Sequence, residues 1–519
     1  LAAILLLAAS GCSRQPNDPL EPVRQHIQNE IARRAPSISI GVFRGDRVIW
    51  EEAFGWADRE RHIRATPDTT YSLGSLSKPI TATAIMLLRD RGLIDLDRPV
   101  NDYLGEPKLV AYTGNASDAT VKRVAQHNAG LPGYYESFYP DEPGKPPDMR
   151  DVIQHYGFLM FPPGERFYYS NLDYGVLGEV ISHVSGESYD SFVRDEVFLP
   201  LGMKDSCVTT CPGLKDREAT RYRDNLPIAD YTTPHPPASD DYSSVPDLLR
   251  FAMLHMEIRG ADQRQILSDA SIEQMRTQRV SAGGFSYGIG WVVTRDGAGH
   301  LRVGHGGGGA GVDAQLTFVP DEKLAAAVLV NTFDEAGRHI AGQLADEVLD
   351  ALSDNGPTNS WLAAWNSLKG KVFRASFRPP ATIAGTWTGT VHIQSENMPI
   401  TIWFNPSGDV QFQLSNQQMT SLQNPRFGNG DVYGHVVKRN RCSRSDPPPS
   451  WFGVRPCPSW RRPQRSGARG WHSGFARCDV GILDGAEAKA LVAQPVARLK
   501  RGSQNGHSGV IGWMSSVAG

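Results

Sequence analysis

At 519 residues the chain exceeds one ordinary domain, and its length predicts about three folded units. Hydrophobic residues at 40% and charged residues at 21% are ordinary for globular protein. A net charge of -3 excludes a nucleic-acid footprint over the chain as a whole.

The chain begins with "LAAILLLAASGC", an apolar run closed by small residues and a cysteine. It is shorter than the roughly 20 apolar residues a spanning helix needs. Residues 1–11 therefore read as the hydrophobic part of a secretion signal. The "ASGC" ending resembles a bacterial lipobox, with Cys12 as the lipidated residue and Ala9 where leucine is usual. A plain signal peptide with an incidental cysteine is the alternative. Residues 12–21, including "SRQPNDPLEP", form a polar, proline-bearing tether. The body of the protein is expected outside the cytoplasm, in the periplasm or cell envelope, held to the membrane by a lipid anchor.

From Glu21 to Arg34, Val23, Ile27 and Ile31 make a helical stripe. "ISIGVF" and "RVIWEEAFG" follow as two strands joined by "RGD". The segment 71–93, "YSLGSLSKPITATAIMLLRDRGL", reads as a helix with Ile80, Ala84, Leu87 and Leu88 on one face and Gly92 ending it. Residues 100 to 280 are mainly helical pattern and loops. Cys207 and Cys211 in "DSCVTTC" are placed for a local disulfide or remain free thiols. A zinc site would need two more ligands, and no histidine stands at suitable spacing, so neither metal nor cofactor is expected.

Three strands then read as "HLRVGH", "DAQLTFVP" and "KLAAAVLVN", before a helix striped by Ile340, Leu344, Val348 and Leu352. Strands at both ends with helices between them predict an α/β fold over residues 22–353. Its antiparallel sheet is flanked by helices and carries an inserted all-helical subdomain. Residues 354–380 form a linker, and 381–437, with "IAGTWTGTVHI", alternate like a small β-barrel or sandwich. From Lys438 to Gly519 the chain turns irregular and rich in Arg, Pro, Cys and Trp. A basic nucleic-acid-binding tail is one reading. An exported enzyme has little use for one, so a reading-frame change is the preferred explanation and no nucleic-acid partner is expected.

Three stretches carry chemistry. Ser75 and Lys78 stand three apart at a helix start, so the amine can reach the hydroxyl and take its proton. Lys78 must be partly desolvated or share its proton to act as a base. Unpaired backbone N–H groups there can receive an oxyanion. Otherwise the pair is a solvated helix cap. In "RFYYSNLDYGVLGEV", Tyr169 can share a proton with Lys78, and Asn171 offers a donor and an acceptor; a capping turn is the alternative. In "RVGHGGGGAGV", His305 and the following glycines let a substrate approach the backbone. The Gly308 N–H could complete an oxyanion hole with that of Ser75, unless this is only a glycine turn between strands. No Gly-x-Ser-x-Gly elbow and no His-Glu-x-x-His signature is present.

In this order and spacing the three stretches resemble the serine β-lactamase and penicillin-binding superfamily, and within it the class C-like branch with D-alanyl-D-alanine peptidases and esterases. "QHNAGLPGY", "PLGM", "SSVPDLLRF" and "YGIGW" agree with that resemblance, which covers about Glu21 to Leu352. The "IAGTWTG" region looks like the lipocalin-like domain some members carry. The resemblance implies Ser75 as acylated nucleophile, Lys78 as its proton partner and Tyr169 as shared acid and base. Asn171, His305, Gly306 and Gly307 would bind a small-molecule or peptide substrate. Dedicated β-lactamases carry Lys-Thr-Gly where this chain has His305, Gly306 and Gly307. A fixed charge becomes an imidazole titrating near neutrality and a hydroxyl disappears. Esters, amides or D-alanyl peptides are thus the expected substrates, ahead of β-lactams. A non-catalytic penicillin or peptidoglycan sensor using the same cleft is the alternative.

Overall fold

The computed structural model describes residues 18–353 except 112–113, 135–136, 139–145, 210, 212, 224, 278, 283–284, 296–298 and 334–338; beyond 353 it describes only strand segments between 385 and 501. The expected signal, Cys12, the linker 354–380 and nearly all of the tail lie outside the described residues.

The segment opens with α1 (Glu21–Arg33), whose Val23 and Ile27 are buried. β1 (Ser37–Arg44) and β2 (Arg47–Asp58) form the predicted hairpin, and β3 (Ile63–Arg64) pairs with β2. On the far side of the chain come β14 (Leu301–Gly309), β15 (Val312–Val319) and β16 (Leu324–Val330). β1 pairs antiparallel with β16 in the register Ile40↔Val328, so segments nearly three hundred residues apart in sequence share one sheet. Three more strands, β11 (Val280–Ser281), β12 (Ser286–Tyr287) and β13 (Val292–Arg295), complete the order β11-β12-β13-β14-β15-β16-β1-β2-β3.

Every residue of β16 is buried, because the sheet is covered on both faces. The period-two alternation splits those residues between two cores. Ala326, Val328 and Val330 pack with Ile38, Ile40 and Val42 against α1 and α10 (Ile340–Leu352). Ala325, Ala327 and Leu329 face the opposite core, which holds α2 (Ser77–Asp90) and α8 (Val245–His255). α2 differs from the one-sided stripe expected of it. Every residue from Ser77 to Leu88 is buried, as for a helix running through the centre of a domain.

The segment between carries α3 (Val121–Ala125), α4 (Met149–Tyr156), α5 (Asn171–Ser185), α6 (Tyr189–Val193), α7 (Pro236–Ser239) and α9 (Asp269–Thr277). It is not purely helical. β4 (Tyr71–Ser72), β10 (Asp241–Ser243) and β7 (Cys207–Val208) form a small antiparallel sheet, and two-residue pairs join β5 (Val110–Ala111) to β6 (Phe158–Leu159) and β8 (Tyr222–Arg223) to β9 (Leu226–Pro227). Such short strands give no period-two signal in a sequence. Cys207 and Cys211 form the local disulfide. Among the described residues no helix is long and apolar enough to cross a membrane, and no cluster of side chains is suited to a metal.

Past the linker, β17 (Gly385–Ile393), β18 (Glu396–Phe404), β19 (Val410–Leu414), β20 (Thr420–Gly428) and β21 (Asp431–Val437) run as an antiparallel meander. β22 (Asp479–Val480) and β23 (Lys500–Arg501) pair at its two edges.

Candidate active site

β4 leads into a 3₁₀ turn, Gly74–Leu76, which runs on into α2. Ser75 thus stands just before the α-helix rather than in its first turn. It is half-buried, whereas Leu76, Ser77 and Lys78 beside it are buried. The Leu73 N–H donates to Asp241 O at 2.8 Å, tying the turn to β10.

Two glycines let β14 lie directly on this turn. A Cβ at Gly307 would stand 1.7 Å from Leu73 O, and one at Gly74, whose φ is +52°, would stand 3.0 Å from Gly308 N. Only glycine permits that approach. β13 pairs with β14 only from Leu301 to Gly304, so among the described residues the β14 edge beyond His305 meets the serine turn rather than another strand. The glycine run is therefore part of the strand, and it brings the Gly308 amide next to Ser75.

The Lys78 side chain is fully buried. Its Nζ lies 3.1 Å from Ser75 Oγ, 2.7 Å from Asn171 Oδ1 and 2.9 Å from Ala238 O. Burial dominates both Lys78 and the nearby Asp173: it drives the amine's proton affinity far below the ordinary lysine range and the carboxyl's well above its own, and their mutual attraction only partly opposes this. Two of its three partners, an amide oxygen and a main-chain carbonyl, can only accept. The third, a hydroxyl, can accept or donate. A neutral amine satisfies all three by donating twice and accepting the Ser75 proton, and an ammonium satisfies them by donating three times.

Tyr169 and Asn171 come from the start of α5, where the Ser170 hydroxyl caps the helix by accepting from Asp173 N at 3.2 Å. The Tyr169 phenol hydrogen-bonds the Ser75 hydroxyl, and Lys78 Nζ is 4.8 Å from the Tyr169 ring centre. Burial raises the phenol's proton affinity above its usual value, and the Ser75 bond offsets part of that. The phenol is therefore a proton donor at neutral pH.

His305 departs from expectation. Its ring is buried, with Nε2 3.0 Å from Tyr287 Oη and Nδ1 2.7 Å from Gly306 O. Burial, and after it the Lys78 charge, pushes the imidazole down to about 3, so it stays neutral instead of titrating near neutrality. Gly306 and Gly308 are half-exposed along the edge.

A hydroxyl, an amine, a phenol and an amide from two separate stretches thus meet around Ser75 and Lys78, against the glycine edge of a third. A sequence model described as Beta-lactamase matches residues 23–350. The chain belongs to the Beta-lactamase family. That family, with its penicillin-binding relatives, is one of serine hydrolases.

Penicillin-binding protein 4 of Amycolatopsis lactamdurans is 29% identical over 342 residues, covering 60% of this chain and 86% of that protein. Penicillin-binding protein 4* of Bacillus subtilis is 27% identical over 312 residues, covering 55% and 66%. Among solved structures, a class C β-lactamase from Rhodobacter sphaeroides superposes with a TM-score of 0.53 at 22% identity, covering 64% of this chain and 98% of that one. The D-amino acid amidase of Ochrobactrum anthropi SV3 gives 0.54 at 22%, covering 65% and 99%. These two structures share the fold.

Several groups in this Beta-lactamase family member escaped residue-type reasoning. Ala238 contributes only a carbonyl, which no residue type advertises. His127 and Tyr287 lie in "QHNAGLPGY" and "YGIGW", visible as segments but not as site residues. Asp173, two residues past Asn171, is fully buried beside His127.

Proposed function

We propose that the protein is a serine hydrolase working through an acyl-enzyme at Ser75, on esters, amides or D-alanyl peptides. The observation that carries this reading is the trio of partners around Lys78 Nζ, which accommodates both protonation states. Neutral Lys78 takes the Ser75 proton as Oγ attacks the acyl carbonyl carbon. The oxyanion is received by the Ser75 and Gly308 N–H groups. Tyr169 gives its phenolic proton to the departing alkoxide or amine and regains one from the Lys78 ammonium. Water then attacks the acyl-enzyme, losing its proton to the same pair and releasing the acid and Ser75.

The substrate preference rests on the β14 edge. His305 is neutral and turned toward Tyr287, and Gly306 has no hydroxyl, so this edge offers a substrate carboxylate no fixed charge. Export and lipid anchoring through Cys12 belong to the same proposal. Ser75→Ala is expected to abolish turnover of a p-nitrophenyl ester while leaving the thermal unfolding transition in place; retained turnover would contradict the assignment. A chromogenic cephalosporin should be turned over far more slowly than the ester.

A further inference from the structure

We propose that His127, backed by Asp173, is a positioning residue for Tyr169. This deepens the hydrolase reading and rests on it. His127 holds the chain on both sides of the phenol. Its carbonyl accepts from Tyr168 N–H at 2.7 Å, and its Nδ1 accepts from Ser170 N–H at 3.2 Å. Between those two grips, its ring packs against the Tyr169 ring with centroids 4.3 Å apart. Burial raises the carboxyl of Asp173, in the first turn of α5, well above the ordinary carboxylate range, and as the acid its Oδ2–H donates to the same Nδ1 at 2.8 Å. One residue therefore holds both of the phenol's neighbours, Tyr168 through its carbonyl and Ser170 through its ring, as well as the phenol's ring face and the helix that carries Asn171.

The backbone points the same way. His127 has φ +54°, the left-handed region that non-glycine residues rarely adopt, and its side chain is fully buried. Strain at a buried, hydrogen-bonded histidine is retained where the position serves the site. The ring also packs against Tyr174 and Tyr287, 5.2 Å and 4.8 Å away, and Tyr287 in turn holds His305. The titratable groups facing it are Lys78 from α2, Asp173 and Tyr174 from α5, Tyr169 before α5, Tyr287 from β12 and His305 from β14. Burial, then Lys78 and His305, hold the imidazole neutral, which keeps a lone pair on the ring for the Ser170 N–H.

A double-mutant cycle on turnover of a p-nitrophenyl ester tests this, with wild type, Tyr169→Phe, His127→Phe and the double variant. His127→Phe keeps a ring but loses Nδ1, and should lower kcat about 10²-fold with KM within about threefold. In the Tyr169→Phe background the same change should cost less than about threefold, because the phenol it positions is already gone. A loss that multiplies in the double variant, no loss from His127→Phe, or full turnover by Tyr169→Phe would each overturn the proposal. If His127→Phe fails to fold, His127→Asn, which tolerates a left-handed backbone, runs through the same cycle under the same criteria. Ser75→Ala separates the two levels. Turnover surviving that change refutes the hydrolase reading, whereas multiplying losses with Ser75→Ala inactive refute only the positioning role.

Discussion

Replacing Gly307 by alanine asks how tightly the serine turn and the sheet edge depend on each other. The added Cβ would stand 1.7 Å from Leu73 O, 2.9 Å from Leu73 C and 3.1 Å from Leu76 N. Ordinary C···O contacts begin near about 3.3 Å, so β14 and the turn must separate by about 1.6 Å. All three blocking atoms belong to the main chain and cannot swing aside, so the turn itself moves. Ser75 then shifts relative to the Gly308 amide, and a misplacement of about 1 Å in a reacting geometry costs about 10²-fold. Losing one oxyanion donor costs about 10²–10³-fold. We expect kcat to fall at least about 10²-fold, or about 3 kcal/mol in barrier. Overpacking should cost stability by only about 1–3 kcal/mol. Steady-state hydrolysis of a p-nitrophenyl ester, alongside thermal unfolding, reads both quantities. A folded Gly307→Ala protein with undiminished kcat would refute the close approach as the source of the site's geometry.

Two further outcomes follow from the same structure. Lys78→Met keeps the length of the side chain and removes the amine, and should lower kcat/KM by about 10²–10⁴-fold in the ester assay. His255 tests the fold instead: its Nε2 lies 3.1 Å from Thr83 Oγ1, and burial, followed by Arg276, pushes its pKa down to about 3. The unfolded chain binds that proton near 6.5, so the native state keeps this contribution above 6.5 and sheds it as pH falls toward about 3, at about 1.4 kcal/mol per unit. Urea unfolding of His255→Gln at pH 7.5 and 5 should show a shallower acid loss than wild type; equal slopes would show that His255 does not contribute.

The parts of this fold that were legible in the sequence are those with long, uninterrupted periods. α1 and α10 each bury one stripe, and β1, β15 and β16 are runs buried on both faces almost throughout, patterns that the order of residues records. Burial of α2 on every side was not legible, because its polar threonines read as an exposed face. In the structure Thr81 Oγ1 donates to Pro237 O at 2.6 Å and Thr83 Oγ1 to Pro79 O at 2.8 Å, so both hydroxyls are satisfied internally. The four polar groups could be named from two motifs, since hydroxyl, amine, phenol and amide chemistry is a property of residue type. What positions them could not. Ala238 acts through its main chain, the left-handed conformation of His127 follows from tertiary contacts, and the inward turn of His305 depends on Tyr287.

Covalent capture of the acyl group decides whether Ser75 is the nucleophile. The protein is mixed with a p-nitrophenyl ester, quenched in acid within the first turnovers, digested and read by mass spectrometry. The acyl mass should appear on the peptide containing Ser75, and it should be absent from the Ser75→Ala protein. Hydrolysis of the ester with the acyl mass on another residue, or with an unchanged adduct in Ser75→Ala, would contradict the mechanism.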